Sequence, residues 1–450
     1  MRSPTLRRVI ATLVIAAVLI ATAAPTFLRT WSGRKNPDDF KVVYSAARAM
    51  WNQVDIYART AGMYIYSPFL AFIFQPLAAL PEGAAANVWL VLSATIILVA
   101  SMIAARKVTE SWLLSAKETD PSVPWLISAT ALLLSVGKIR SDLYLGQTDC
   151  LIIIGLVGVL WSMDRRPLLA GVAAGATANV KYLALIFVPY FLIKRNYRAA
   201  ITSIISFLFF FVLPAVEVGF RSMKIYAINA IAVLTKVVGG VDLMNLAAAG
   251  RSQKPVVNSA AWSNSVSLTS SVLRFTRSHG VPDSVAATLI VLLFAAIVVA
   301  IVLIGRHKGV DLLKPTTATT ESKHGGAATI DWAALIVLAL VFSPQTTSRH
   351  MILLMLVYTV GTGIVLAQKR TSLRILLIVS MLATAVALSL PFRETGFHPG
   401  LITLKSIGVA SWCALLLIFL IAWIGSRTIS ETAAAAGPMG FGTTPKEPKH

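Results

Sequence analysis

Charge is scarce in this chain. Only 13% of its 450 residues are Asp, Glu, Lys or Arg, against ~25% in an ordinary soluble domain. Acid is scarcer than base: 19 Asp+Glu face 40 Lys+Arg, for a formal net charge of +21. Cysteine is nearly absent. Cys150 and Cys413 both lie inside apolar stretches, so they build neither a disulfide framework nor a metal cluster and read as small buried residues. No basic run interleaved with aromatics occurs in a soluble segment, which excludes a nucleic-acid module despite the positive balance. What the chain has in quantity is apolar surface: 56% of its residues are hydrophobic and its mean hydropathy is +0.76. That composition excludes a soluble enzyme and a disordered protein alike. The charges fall in short clusters between apolar stretches, the pattern of membrane loops.

Backbone groups left unpaired in lipid cost several kcal/mol each, so long apolar runs must be helices. The runs are 9–27, 85–105, 123–137, 146–163, 167–180, 182–193, 199–219, 285–305, 330–344, 351–368, 375–391 and 407–425. The expectation is therefore an all-α polytopic membrane protein with about 12 transmembrane helices. The pair 167–180 and 182–193 reads either as two short spans or as one broken or re-entrant segment. Basic residues at Arg2, Arg7 and Arg8 precede the first run, which reads as a signal anchor with its N-terminus in the cytoplasm rather than a cleaved signal peptide. Alternation from there puts 21 Lys/Arg inside and 19 outside, but 13 of the 19 fall in two long outer loops. Long loops translocate largely regardless of charge, so the short loops decide, at 21 to 6, for both ends inside. The chain thus reads as a single transmembrane domain over 1–425. Its outer loops lie at about 28–84 and 221–284, with a cytoplasmic loop at about 306–329 and a flexible cytoplasmic tail at 426–450. The proline-bounded segment 64–82 reads as a helix lying in the outer interface or dipping into it.

Ionisable groups at membrane depth are expensive and mark function by default. On this topology they gather on the outer side. Asp38 and Asp39 open the first outer loop, just before an amphipathic run through Tyr44 and Trp51. One can cap that helix and the other can do chemistry. Lys181 stands alone between two apolar runs. At ~1.5 Å per residue, its distance from Arg165-Arg166 carries it roughly 23 Å towards the outer surface; it reads either as a snorkelling side chain or as a cation for a lipid phosphate. Ser343-Pro344 through Arg349-His350 forms a polar turn on the same side. Arg349 and His350 then start the next helix, where N–H groups favour anions, or belong to an ordinary interfacial loop. Lys138 to Asp142 and Gly146 to Asp149 form another outer turn, in which Gln147 can hydrogen-bond a sugar. A helix beginning near Asn264 would carry Ser267, Ser271 and Arg274 on one face. Tyr57, Tyr64, Tyr66 and Trp262 can stack on a sugar. A base, several cations and aromatic faces at headgroup depth fit one task, the transfer of a sugar from a lipid phosphate.

Several stretches in order resemble glycosyltransferase family 87, membrane enzymes of the GT-C fold. They are Asp39-Phe40 with Tyr44 and Ala46-Ala47, Asp55-Ile56-Tyr57, Tyr66-Ser67-Pro68-Phe69, Pro76 to Pro81 and Trp89. They continue with Gly146-Gln147, Ala170-Gly171 with Gly175 and Lys181, Ser267-Leu268 with Arg274, then Ser343-Pro344 and Arg349-His350. The resemblance departs at Ser67, where proline is common, at Asn264 to Leu268, which has one residue more, and at Arg349-His350, which replaces a histidine pair. It implies a polyprenyl-phosphate sugar as donor, mannose or a related hexose or pentose. The acceptor is a lipid or glycan on the outer face of a bacterial plasma membrane, and no nucleic acid is involved. It implies Asp39 as catalytic base, with Asp38 as the alternative. Lys181, Arg349 and His350 would then hold the donor phosphate, with Asp38, Tyr44, Tyr57, Tyr66, Gln147, Asn264 and Arg274 as candidate substrate contacts. No cofactor and no metal are expected, since a monophosphate leaving group can be met by protein cations. A secondary transporter would instead place ionisable groups near the bilayer midplane on discontinuous helices, and a non-catalytic scaffold would leave these residues without a joint task.

The reading requires positions 39, 181 and 349 to share one side of the membrane. Single cysteines introduced there are expected to react with an impermeant maleimide from the same side of sealed vesicles, and labelling from opposite sides would dismantle the arrangement.

Overall fold

The computed structural model describes residues 3–113, 120–238, 260–312, 321–344, 346–389, 403–404 and 406–435. Helix dominates: among the described residues there is no strand, only an isolated bridge between Ser265 and Thr347. The helices are α1 (Pro4–Trp31), α2 (Asp38–Trp51), α3 (Ile56–Arg59), α4 (Pro68–Ile73), α5 (Gln75–Ala78), α6 (Glu82–Leu113), α7 (Val123–Leu134), α8 (Val136–Leu145), α9 (Asp149–Ser162) and α10 (Pro167–Val180). They continue with α11 (Phe187–Ile193), α12 (Tyr197–Val212), α13 (Ala215–Val238), α14 (Leu268–Ser278), α15 (Asp283–His307), α16 (Glu321–Phe342), α17 (Leu354–Ala367), α18 (Thr371–Leu388) and α19 (Val409–Ala435).

Each of the twelve apolar runs is mainly helical over its described residues, and the chain is an all-α polytopic membrane protein. Their lengths differ from expectation. Among the described residues, six helical segments are long and apolar enough to cross a membrane, and eight if the bent pairs α7–α8 (67°) and α12–α13 (94°) each count as one span. α9 and α10 have 14 residues each. At ~1.5 Å per residue they fall short of the ~30 Å hydrocarbon core, so twelve full spans are not reached by length. The short α9 sits largely inside the bundle instead, while α10 and α11 bury only part of their surface. α9 buries Cys150, Ile152, Ile153, Leu156 and Val157, and α17 is buried all round. α1, α12, α15 and α18 turn large apolar side chains outward, as lipid-facing helices do.

Close approach depends on small residues. In α10, a Cβ at Gly171 would lie 2.6 Å from the Ala199 carbonyl oxygen, and one at Gly175 would lie 2.5 Å from that of Ser203. The α10 and α12 backbones therefore touch along a face that only glycine permits. A Cβ at Gly363 of α17 would lie 2.3 Å from Val108 of α6. Both cysteines are free thiols.

Several boundaries move. The expected outer turn around Lys138 is the helix α8. The 221–284 loop begins inside α13, which is kinked at Gly219 with φ +76°. The helix expected near Asn264 starts at Leu268, because Ser267 takes the N-cap and accepts from the Ser270 N–H at 3.1 Å. The segment 64–82 is not one helix: it holds α4 and α5, each starting with a proline in its first turn. The 306–329 loop is shortened by α16, which begins at Glu321. The last helix runs to Ala435, ten residues past the expected boundary, with Ser426 and Thr428 buried in the bundle. The remainder of the expected tail, 436–450, lies outside the described residues. The segment 167–193 is broken at Lys181, an extended residue (φ −147°, ψ 134°) between α10 and a 3-10 turn over Tyr182–Ile186.

Candidate active site

The site begins with a helix start. Pro37 occupies the N-cap of α2 with extended backbone and no side-chain cap, and Asp38 and Asp39 fill the first turn. The expectation that one aspartate caps the helix is corrected: the pyrrolidine ring takes the capping position, while both carboxylates still benefit from the positive end of the helix. Asp38 faces solvent and pairs with Lys35 at 2.9 Å. Asp39 turns inward. Its Oδ2 accepts from Arg349 at 2.8 Å and from the Gln147 side-chain amide. Its Oδ1 accepts no hydrogen bond from any described residue.

Gln147 reaches Asp39 because of the residue before it. α8 ends at Gly146 in the left-handed conformation, φ +67°. A Cβ there would stand 2.6 Å from the Phe40 Cβ and 2.9 Å from the Pro37 Cβ. Glycine thus serves twice, supplying the positive φ and the space in which the start of α2 rests on the α8–α9 turn. The Trp89 indole donates to the Gly146 carbonyl at 3.3 Å and pins the turn from α6.

Arg349 is held from the other side. α16 ends at Phe342 before Pro344, and the chain enters a 3-10 turn over His350–Leu353 that feeds α17. The Val266 N–H donates to the Thr346 carbonyl at 2.9 Å, and the Ser265 hydroxyl to the same oxygen at 3.0 Å. Lys138 of α8 donates to the Ser348 hydroxyl. His350 accepts the Thr347 N–H on Nδ1 at 3.2 Å, which leaves the proton of a neutral ring on Nε2.

Lys181 completes the constellation. Its ammonium pairs with Oδ1 of Asp149, the first residue of α9. Asp149 is fully buried, while the Lys181 side chain keeps 15% exposure. Tyr66 is half-buried and lies within the electrostatic reach of Lys181, Asp39, Asp149 and Arg349. Around Asp39 the balance is set first by burial, which raises its carboxyl above the ordinary 3.8; Arg349 and then Lys181 pull it back only in part, and Asp38 and Asp149 add to the rise. The net direction is upward, the direction that makes a carboxylate a better proton acceptor. Among the described residues no group of three or more His, Cys, Asp or Glu is placed to hold a metal.

The structure therefore brings Asp39, Gln147, Lys181, Arg349, His350 and Tyr66 to one end of the bundle. Other expected contacts are spoken for. Tyr57 is 2% exposed and donates to the Tyr66 carbonyl at 3.1 Å, so it supports Tyr66 and is not open to a sugar. Tyr64 is fully buried and donates to the Ser67 carbonyl. Tyr44 is buried, with its hydroxyl donating to the Leu80 carbonyl at 2.8 Å. Arg274 donates to the carbonyls of Trp262, Ser265 and Ser406 and to the Ser271 hydroxyl; it ties down the strip that backs the Arg349 turn. Gln147 meets Asp39 rather than open space. Asn264 is half-buried on that same strip. Sequence reasoning quoted Lys138, Asp142 and Asp149 without assigning them. The available signal was Lys138 and Asp142 four apart, hence on one face of α8, in a segment otherwise bound for the interior.

A helical membrane bundle that holds a carboxylate among cations at one end is the class of protein this geometry defines. The family model described as Glycosyltransferase family 87 matches residues 64–313, more than half of the chain, and the chain belongs to glycosyltransferase family 87. It is also similar to the polyprenol-phosphate-mannose-dependent alpha-(1-2)-phosphatidylinositol pentamannoside mannosyltransferase of Mycobacterium tuberculosis (strain CDC 1551 / Oshkosh), with 27% identity over 146 residues, 32% of each chain. The match thus spans about a third of that relative's length. Tyr66, Gln147 and Lys181 lie inside the family match, and Asp39, Arg349 and His350 lie outside it.

Replacing Gly146 with Ala is expected to force the α8–α9 turn away from Phe40. The left-handed conformation alone costs ~1–2 kcal/mol for an L side chain, and the clash adds to it. The thermal midpoint of the purified protein should drop, and an unchanged midpoint would show that the turn relaxes freely.

Proposed function

We propose that the chain is a membrane glycosyltransferase that moves a sugar from a polyprenyl-phosphate donor to a glycolipid or glycan acceptor at the outer face of the cell membrane, with inversion. The observation that carries this reading is the state of Asp39: one carboxylate oxygen is clamped by Arg349 and Gln147, while the other accepts from no described residue on a side chain that is 33% exposed. A clamped carboxylate has a fixed direction, and its open oxygen is available to an incoming hydroxyl. Oδ1 of Asp39 takes the acceptor proton as the hydroxyl oxygen bonds to the anomeric carbon. The bond from that carbon to the phosphate oxygen breaks, and the polyprenyl phosphate leaves with the electron pair. One displacement from the opposite face inverts the centre. Lys181, Arg349 and Nε2–H of His350 offset the charge on the leaving phosphate. Only one Arg349 nitrogen is engaged with Asp39, so the rest of the guanidinium fork remains for phosphate oxygens. Mannose, or a related hexose or pentose, is the sugar favoured by the name of the mannosyltransferase relative and by the family.

Asp39→Asn keeps the shape and the contacts of the clamp while removing the base. Transfer from a synthetic polyprenyl-phosphate mannose should fall by ~10²–10⁴-fold, and full retention would overturn the assignment. In the unsubstituted protein, kcat/KM should decline as pH falls through the Asp39 pKa. Because burial raises that pKa, the decline should lie above the ordinary carboxylate value and be missing from the residual activity of Asp39→Asn.

Lys181→Met should raise the donor KM by ~10–100-fold, the worth of hydrogen bonds to a charged group. A donor KM that stays at its original value would remove Lys181 from the phosphate site.

A further inference from the structure

Beneath the open end of the site lies a second set of charged groups that the transfer step leaves unused. Asp149 and Asp142 are both fully buried. Asp142 in the last turn of α8 and Asp149 at the start of α9 flank the Gly146 turn. Oδ2 of Asp149 and both carboxyl oxygens of Asp142 lack an N–H or O–H donor among the described residues. The Thr148 hydroxyl between them in sequence is buried and also unpartnered. Burying acid in this way is costly and is tolerated where a cation answers it. Lys181 supplies one: its ammonium bonds Asp149 directly.

The geometry of the ammonium carries the argument further. Lys carries three N–H donors. One goes to Asp149, and no other described residue accepts from Lys181. Two donors therefore have no acceptor among the described residues, on a side chain that keeps 15% exposure. Lys181 itself sits at an extended break between α10 and the following 3-10 turn, where the helix no longer constrains the direction of its side chain. A flexible four-carbon stem at such a break loses considerable rotamer entropy when ordered (up to ~2 kcal/mol). An anion behind the ammonium orders it before any substrate arrives.

We propose that Asp149 is a positioning residue that pre-orients Lys181 so that its two remaining N–H groups meet the phosphate of the lipid-linked substrate. The assignment rests on the donor reading given above. Asp149 touches neither the sugar nor the acceptor and acts through Lys181 alone.

The test is binding of farnesyl phosphate by the full-length protein in nanodiscs, with farnesol as the uncharged comparison. Asp149→Asn should raise the Kd for farnesyl phosphate by about tenfold or more and leave that for farnesol unchanged, and Asp149→Glu should recover part of the loss. The double variant Asp149→Asn/Lys181→Met should bind farnesyl phosphate as Lys181→Met does, because an effect passed through one partner is not additive. The double variant leaves no lone cation beside the buried acid, so it serves even if Asp149→Asn alone fails to fold. Unchanged Kd in Asp149→Asn, an equal loss for farnesol, or a further loss in the double variant would each overturn the role of Asp149. An unsubstituted protein that does not bind farnesyl phosphate at all would instead overturn the donor reading.

Discussion

The 2.8 Å contact between Arg349 and Asp39 joins residues 310 positions apart, and the proposed chemistry depends on it. A carboxylate on a short surface helix has many orientations. Two donors on the same oxygen, a guanidinium and an amide, leave it with few. The contact forms only if α2 lies flat against the α8–α9 turn on one side and the Arg349 turn is braced on the other. The missing Cβ of Gly146 and the Trp89 indole secure the first. The second rests on the Ser265–Thr347 bridge, on Lys138 and on the carbonyls gathered by Arg274.

Charge inside an apolar bundle must be answered locally, because neither water nor salt screens it there. Two of the ion pairs among the described residues show how. Lys181 meets Asp149 below Asp39, and Lys194 meets Asp331 at 2.7 Å, with Tyr190 donating to the same carboxyl at 3.2 Å. The second pair ties α11 to α16 and is closed, with both side chains buried. The first is open on its cation side. That difference in exposure separates a staple from a candidate binding group, although both contain the same two residue types.

The all-α architecture and the positions of the apolar helices were legible in the apolar runs, because lipid permits no other way to pair a backbone; the short helices α3 to α5 and the helix α8 were not. The break at Lys181 was legible as a doubt about whether 167–193 is one segment or two. Asp39, Arg349 and Lys181 stood out as charges in the wrong solvent. Tyr57 and Tyr44 misled, since an aromatic beside a polar loop reads alike whether it stacks on a ligand or fills a core. Here their hydroxyls find backbone carbonyls, at Tyr66 and Leu80, and their rings are enclosed. Lengths misled too: 14 apolar residues suggest a span until the neighbours that enclose α9 are seen.

Composition and periodicity by themselves determined that this chain lives in lipid, that it is helical, and which charges had to be explained, because those follow from the cost of moving single groups out of water. The partner of each charge was decided only by tertiary structure. Whether Gln147 meets a sugar or Asp39, and whether Lys181 stands alone or on Asp149, depends on contacts between segments that are 108 and 32 residues apart. Such contacts arise where glycine faces let helices touch, and no local pattern encodes which helix lies on the other side.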